Sequence, residues 1–300
     1  MKKSIQAVAA LLATLLASGV FAADNNWMAG IDGDSRLSQF SIPGTHDSGA
    51  RFEPIAGTAK CQNSTLAEQL NFGVRFLDIR CRHINDAFAV YHGSASQNMT
   101  FREVLDQVAG FLHANPSECV ILSVKEESTS SGTTRTFEAT FDSYVAAYPA
   151  KWSLGTSVPA LGAVRGKIVL LRRFSATESK GINATTWPDN TTFTANNLSV
   201  QDHYQVGDTA TKWSRIGNAL SSAFADTHAD ILHLNFASGY KQGLYGLPDI
   251  TTVSDSINPL LAGYFSRALR GHYGCVLMDF ADAKRSELIY NTNFIAPARH

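Results

Sequence analysis

An alternation constrains this chain more than any single motif. Short apolar runs rich in β-branched residues recur at 37–42, 75–80, 88–92, 120–125, 167–174, 198–204, 231–236 and 275–280, and most close on titratable side chains. Helical spacing fills the intervals at 66–72, 100–115, 137–148, 212–225 and 260–269. Thr100 and Glu103 stand at capping-box spacing, and Pro116 and Pro149 stop two of these helices. Strands alternating with helices mean βα units and a mostly parallel sheet, and eight strands in 300 residues suit a (β/α)8 barrel. The expectation is an α/β protein: an irregular (β/α)8 TIM barrel in a single domain. It is irregular because the helices between the second and third strands and around the sixth are short or missing. The rival, an open doubly wound sheet, would usually carry a Gly-rich nucleotide loop, and this sequence has none.

The first segment stands outside that pattern. Lys2 and Lys3 precede an apolar run from 7 to 21, and Val20, Phe21 and Ala22 form a small-residue cleavage site. Residues 1–22 therefore read as a secretory signal peptide, with 23–300 as the exported catalytic domain and Ala23 as the mature start. Export permits disulfides. Cys61, Cys81, Cys119 and Cys275 allow three full pairings; a Cys61–Cys81 bridge is expected, with Cys119 and Cys275 as buried thiols opening apolar strands. A net charge of −1 leaves no basic excess to neutralise phosphates, which argues against nucleic acid as the main partner. A monomer is expected.

The strand ends carry the chemistry. In the stretch from Ser41 to Gly49, Pro43 and Gly44 are expected to turn the chain so that His46 and Asp47 sit at a strand end. Asp78, Arg80, His92, Lys125, Arg173, Asp202, Tyr204 and Asp279 occupy corresponding ends, the face where barrel active sites assemble. His46 and His92 are a candidate general base and general acid, each oriented by Asp47, Asp78 or Asp279. Arg80 presents a fork suited to phosphate, while Lys125, Arg173 and Asp202 suit a hydroxylated ligand and Tyr204 offers a ring face. Two imidazoles around a guanidinium is a layout for phosphodiester cleavage by internal attack. Arg172 and His203 alternate with their neighbours and should point away, and Glu126 and Glu127 read as solvated rim residues. His113, His228, His233 and His272 receive no role, and Asp282 reads as a helix N-cap.

The stretch 41–49, Phe76 to Arg80, Tyr91-His92-Gly93, Ile121 to Lys125, Gly166 to Phe174, Trp187-Pro188-Asp189, Val200 to Tyr204 and Met278-Asp279 together resemble the bacterial phosphatidylinositol-specific phospholipases C. The resemblance spans about residues 38–282. It implies an irregular TIM barrel that cleaves phosphatidylinositol, and in some members inositol-glycan lipid anchors, to diacylglycerol and inositol 1,2-cyclic phosphate at a membrane surface. By that resemblance His46 is the base held by Asp279, and His92 is the acid assisted by Asp47. Arg80 contacts the phosphate beside Asp78; Lys125, Arg173, Asp202 and Tyr204 bind the inositol ring. Related enzymes place a calcium-binding carboxylate where this chain has Arg80, so a metal-independent enzyme without cofactor is expected.

The chain departs from the family's best-known members at the membrane edge. Residues 51–64 hold no tryptophan, and the loop 239–248 offers Tyr240, Leu244, Tyr245 and Leu247 instead. Two other readings remain at this level. One is a barrel glycerophosphodiesterase or phospholipase D, which would need carboxylate-held metal; the other is a non-catalytic inositol-glycan binding module.

Overall fold

The computed structural model describes residues 25–294, so the signal segment expected at 1–22 lies outside the described residues. Fourteen strands follow one another along the chain: β1 (Ser41–Thr45), β2 (Phe76–Ile84), β3 (Ala87–His92), β4 (Ala95–Thr100), β5 (Val120–Ser131), β6 (Trp152–Ser153), β7 (Ile168–Arg173), β8 (Ile182–Asn183), β9 (Thr192–Ala195), β10 (Leu198–Gln201), β11 (Leu232–Phe236), β12 (Lys241–Gln242), β13 (Pro248–Asp249) and β14 (Gly274–Met278). Helices α1 (Leu66–Asn71), α2 (Phe101–Ala114), α3 (Phe137–Ala147), α4 (Leu161–Val164), α5 (Thr209–Ala225), α6 (Ile250–Phe265) and α7 (Ala283–Asn291) intervene. None of the described helices is long and apolar enough to cross a membrane.

The sheet runs β6-β7-β5-β2-β1-β14-β11-β10-β9. From β7 to β10 every pairing is parallel, and β9 joins antiparallel at one margin. The eighth barrel position is broken: the two-residue strands β6 and β8 pair with successive halves of β7. No ladder among the described residues joins them to β9 or β10, so the curled sheet keeps an open seam. The barrel is irregular as expected, but by a split eighth position and an open seam rather than by missing helices alone.

Strand parity sorts the side chains. Ile42, Phe76, Ile121, Val169, Val200, Leu234 and Leu277 point inward and pack as one buried cluster. Leu77, Leu122 and Leu170 point outward against α2 and α3, while Val276 and Met278 meet α5, α6 and α7. Continuing the inward parity toward the carboxyl ends reaches His46, Arg80, Lys125, Arg173, Asp202 and Asp279. The alternation that builds the core thus also aims the polar groups into the barrel mouth.

Four sequence expectations change. The run 37–42 is a 3-10 turn (Leu37–Gln39) followed by β1, and Pro43 and Gly44 lie inside that strand. Gly44 is there for closeness, since a Cβ would stand 3.0 Å from Phe76 Cβ and 3.3 Å from Leu277 Cγ. The turn comes after it, at Asp47, whose φ is 40°. The run 88–92 is no barrel strand: β2 extends beyond the rim and β3 returns antiparallel along it, pairing Val90 with Cys81. Helix α6 begins ten residues before the expected 260, because Asp249 caps it, and it carries Pro259 within it. The expected Cys61–Cys81 bridge is absent, all four cysteines being free and buried. Cys81 packs in the outer core while Cys61 faces the barrel mouth.

Gly44→Ala should destabilise the fold by about 1–3 kcal/mol through overpacking, read as a lowered thermal unfolding midpoint. A neutral result would show that the β1–β2–β14 contact yields without strain.

Candidate active site

Three backbone devices hold the first two residues. Strand β1 ends with the His46 amide donating to Met278 O at 3.1 Å, which fixes it against β14. Gln62 Nε2 donates to both His46 O and Met278 O, and Gln62 Oε1 accepts from Ala281 N, so one buried side chain fastens both strand ends. The Asp47 turn is tied to β2 by Ser48, whose amide donates to Asp78 O and whose hydroxyl accepts from Asp78 N, each at 2.8 Å.

His46 Nδ1 lies 2.8 Å from Asp279 Oδ1, while Asp279 Oδ2 accepts from Gly239 N at 3.3 Å. With Nδ1–H donated to the carboxylate, Nε2 is left as an acceptor. Burial alone depresses the His46 imidazole, but the charge and hydrogen bond of Asp279 outweigh it and raise the group above its ordinary value. His92 stands opposite, its ring edge-on to His46 with centroids 6.1 Å apart. Its Nδ1 lies 2.8 Å from Ala59 O and 3.6 Å from both Asp47 Oδ2 and Cys61 Sγ. The backbone carbonyl, rather than Asp47, is therefore its hydrogen-bond partner.

Arg80 lines the same cavity beside the two imidazoles. Its Nη2 is 3.0 Å from Asp78 Oδ2, Nε is 3.6 Å from Asp47 Oδ2, and Nη1 is 3.8 Å from Glu127 Oε1. Burial would lower the guanidinium, but Asp78, Asp47 and Glu127 hold it well above its usual range. Burial likewise pushes Asp78 up, yet Arg80 and Arg173 overcome this and keep it well below the usual carboxylate range. Asp47 is raised by burial, with His92 and Arg80 opposing. The net arrangement is a cation fixed by three carboxylates.

Beyond Arg80 the cavity, about 560 Å³, continues past Lys125, Glu127, Arg173, Trp187, Asp202 and Tyr204. Arg173 lies over the Trp187 ring at 3.7 Å and pairs with Asp78 Oδ1 at 3.5 Å. Trp187 Nε1 donates to Asp202 Oδ2 at 3.0 Å, and Tyr204 OH donates to Asp189 Oδ1 at 2.6 Å. Strand β10 stops at Gln201, so Asp202 and Tyr204 reach the cavity from a loop. Buried Lys212 braces that loop by donating to His203 O at 2.8 Å and Phe236 O at 2.6 Å, and burial pushes its ammonium down to about 7. Arg172 turns away to Lys180 O and Phe174 O, and His203 lies outside the main cavity.

The sequence reading gave no site role to four of these groups, although Trp187 and Asp189 stood in one of the motifs that carry the resemblance. Glu127, taken for a rim residue, bonds Lys125 Nζ at 2.6 Å and accepts from Gly93 N. Trp187 and Asp189 come from an irregular stretch, and Cys61 from a polar loop; none lies on a strand whose parity would announce it. In the two loops that contribute Thr58, Gly246 and Pro248 to the cavity lining, Phe52 and Ile55 are about half exposed, Tyr245 is 99% exposed and Leu247 is exposed. Ile250 N donates to Gly57 O at 3.0 Å, bringing the two rim loops together.

Comparison with known proteins identifies the family and the fold. The family model "Phosphatidylinositol-specific phospholipase C, X domain" matches residues 36–174. The chain is 32% identical to the 1-phosphatidylinositol phosphodiesterase of Staphylococcus aureus strain Newman over 276 residues, covering 85% of this chain and 88% of that one. It is 27% identical to the Listeria monocytogenes protein of the same name over 279 residues, covering 89% and 84%. A solved S. aureus phosphatidylinositol-specific phospholipase C superposes with a TM-score of 0.82 at 29% identity, over 92% of this chain and 99% of that one. The L. monocytogenes enzyme structure shares the fold, with a TM-score of 0.73 at 24% identity over 91% and 100%. With two imidazoles and a guanidinium lining one cavity and relatives of this kind over most of its length, the chain belongs to the phosphatidylinositol-specific phospholipase C family.

Proposed function

We propose that this protein cleaves phosphatidylinositol, and inositol-glycan lipid anchors of the same headgroup chemistry, by internal attack. The observation that carries the reading is the pair of imidazoles 6.1 Å apart with Arg80 beside them at one cavity. His46 Nε2 takes the proton of the inositol 2-hydroxyl, and that oxygen attacks phosphorus. Arg80 neutralises the charge gathering on the non-bridging oxygens, with its own position set by Asp78, Asp47 and Glu127. His92 gives its proton to the glycerol oxygen as the P–O bond breaks, leaving diacylglycerol and inositol 1,2-cyclic phosphate. Both histidines end the cycle with protonation reversed, and a water or a second hydroxyl resets them.

Lys125, Arg173, Asp202 and Tyr204 hold the ring in this reading, with Glu127 and Trp187 fixing Lys125 and Arg173. No metal is required, because a permanent cation already stands where a carboxylate-held ion would act. Phe52, Ile55, Tyr245 and Leu247 rest on the lipid surface around the mouth. Membrane binding is described for the S. aureus relative. The basic, apolar segment at 1–22 supports export of the chain.

Three outcomes test this. Incubation with phosphatidylinositol should yield the cyclic inositol phosphate, in chelator as well as without it, whereas choline or phosphocholine from phosphatidylcholine would overturn the reading. Replacing Arg80 by Lys keeps charge but loses the fork, and should lower kcat by about 100-fold with a smaller effect on KM. NMR titration should place the His46 midpoint above an ordinary imidazole. Asp279→Asn removes the raising charge and leaves burial, so the midpoint and the acid limb of kcat/KM should both move to lower pH. An unmoved limb would separate His46 from the base role.

A further inference from the structure

Cys61 stands where the proposed reaction has no use for it. Its Sγ is fully buried in the wall behind the cavity, 3.6 Å from His92 Nδ1, and the same nitrogen is 3.6 Å from Asp47 Oδ2. The three donor atoms of Asp47, Cys61 and His92 all lie within 4.8 Å of one another. A tetrahedral zinc site with ordinary Zn–S, Zn–N and Zn–O bonds has ligand–ligand edges of about 3.4–3.6 Å. Two edges of this triangle already have that length.

A second observation points the same way. Neither carboxylate oxygen of Asp47 takes part in a hydrogen bond to the described side chains, although both are buried. Its charge is met only at 3.6 Å, by Arg80 and His92. The neighbouring trio of His46, Cys61 and Asp279 also has donor spacing. There, however, Asp279 is committed to His46 at 2.8 Å and to Gly239 N. The carboxylate that takes no hydrogen bond, and is met only by ion pairs at 3.6 Å, is on the His92 side.

We propose that Asp47, Cys61 and His92 form a binding site for a thiophilic divalent cation such as Zn2+, and that its occupation shuts the enzyme off. Binding releases the Cys61 thiol proton to solvent. The His92 imidazolium gives up its Nδ1 proton to solvent as well, losing the hydrogen bond to Ala59 O and keeping the proton on Nε2, so sulfur, nitrogen and one carboxylate oxygen coordinate the ion. An imidazole held at Nδ1 by a metal no longer cycles through the imidazolium form that protonates a leaving alkoxide. Arg80 disfavours a hard ion that needs a shell of oxygens, but a zinc whose charge is halved by a thiolate meets far less repulsion. Without metal the thiol stays protonated, raised by burial and by the charges of Asp279 and Asp47, so the site answers to metal rather than to oxidants.

The loss of activity rests on the reaction proposed above; the binding does not. Co2+ added to the full chain should give a thiolate-to-cobalt charge-transfer band that Zn2+ abolishes by displacement. Turnover should fall as Zn2+ rises and return with chelator. Cys61→Ser and Cys61→Ala should both lose the band and weaken zinc binding about 10-fold or more, since even outer-shell changes cost that much. Either variant suffices if the other misfolds. Absence of the band in the wild-type chain, or its survival in a folded Cys61 variant, overturns the site. A chain that binds cobalt through Cys61 and leaves phosphatidylinositol intact refutes the reaction, not the site.

Discussion

The site depends on one buried charge arrangement: Arg80 held among Asp78, Asp47 and Glu127. A lone guanidinium at that depth would be costly, and so would any of the carboxylates. Together they keep a positive group stationary at low dielectric, where its field is strong and no reorganisation precedes reaction. Arg173 belongs to the same arrangement through Asp78 and through the face of Trp187. The barrel below supplies only the platform, and the rim supplies charges that cannot relax.

Much of this was legible because a strand has period two. Once the inward parity of the apolar residues is known, His46, Arg80, Lys125, Arg173 and Asp279 fall on the same side by counting. Helix starts were legible where a capping residue announces them, as Thr100 does with Glu103 in α2 and Asp282 does for α7. Parity also separated Arg172 from Arg173.

What stayed hidden was whatever depends on contact across the chain. Nothing local distinguishes an antiparallel return such as β3 from a parallel barrel strand, because both are short and apolar. Pro43 and Gly44 have the composition of a turn, yet the crowding of Phe76 and Leu277 requires them inside a strand. Pro259 looks like a stop and is carried within α6. Glu127 lies beyond the point where β5 leaves the barrel, so its value as a partner of Lys125 and Arg80 appears only with their side chains in view. The cysteines pair on paper, while the fold packs Cys81 in the outer core and Cys61 beside His92.

The return strand has a consequence for how the enzyme can vary. His46 is anchored by β1, β14 and Gln62, deep in the cooperative body of the protein. His92 arrives on a peripheral ribbon, β2 to β4, and is oriented by a loop carbonyl at Ala59. The two imidazoles therefore have separate mechanical mounts. A change in the ribbon or in the loop before Cys61 can re-aim His92 while His46 stays fixed on the barrel body.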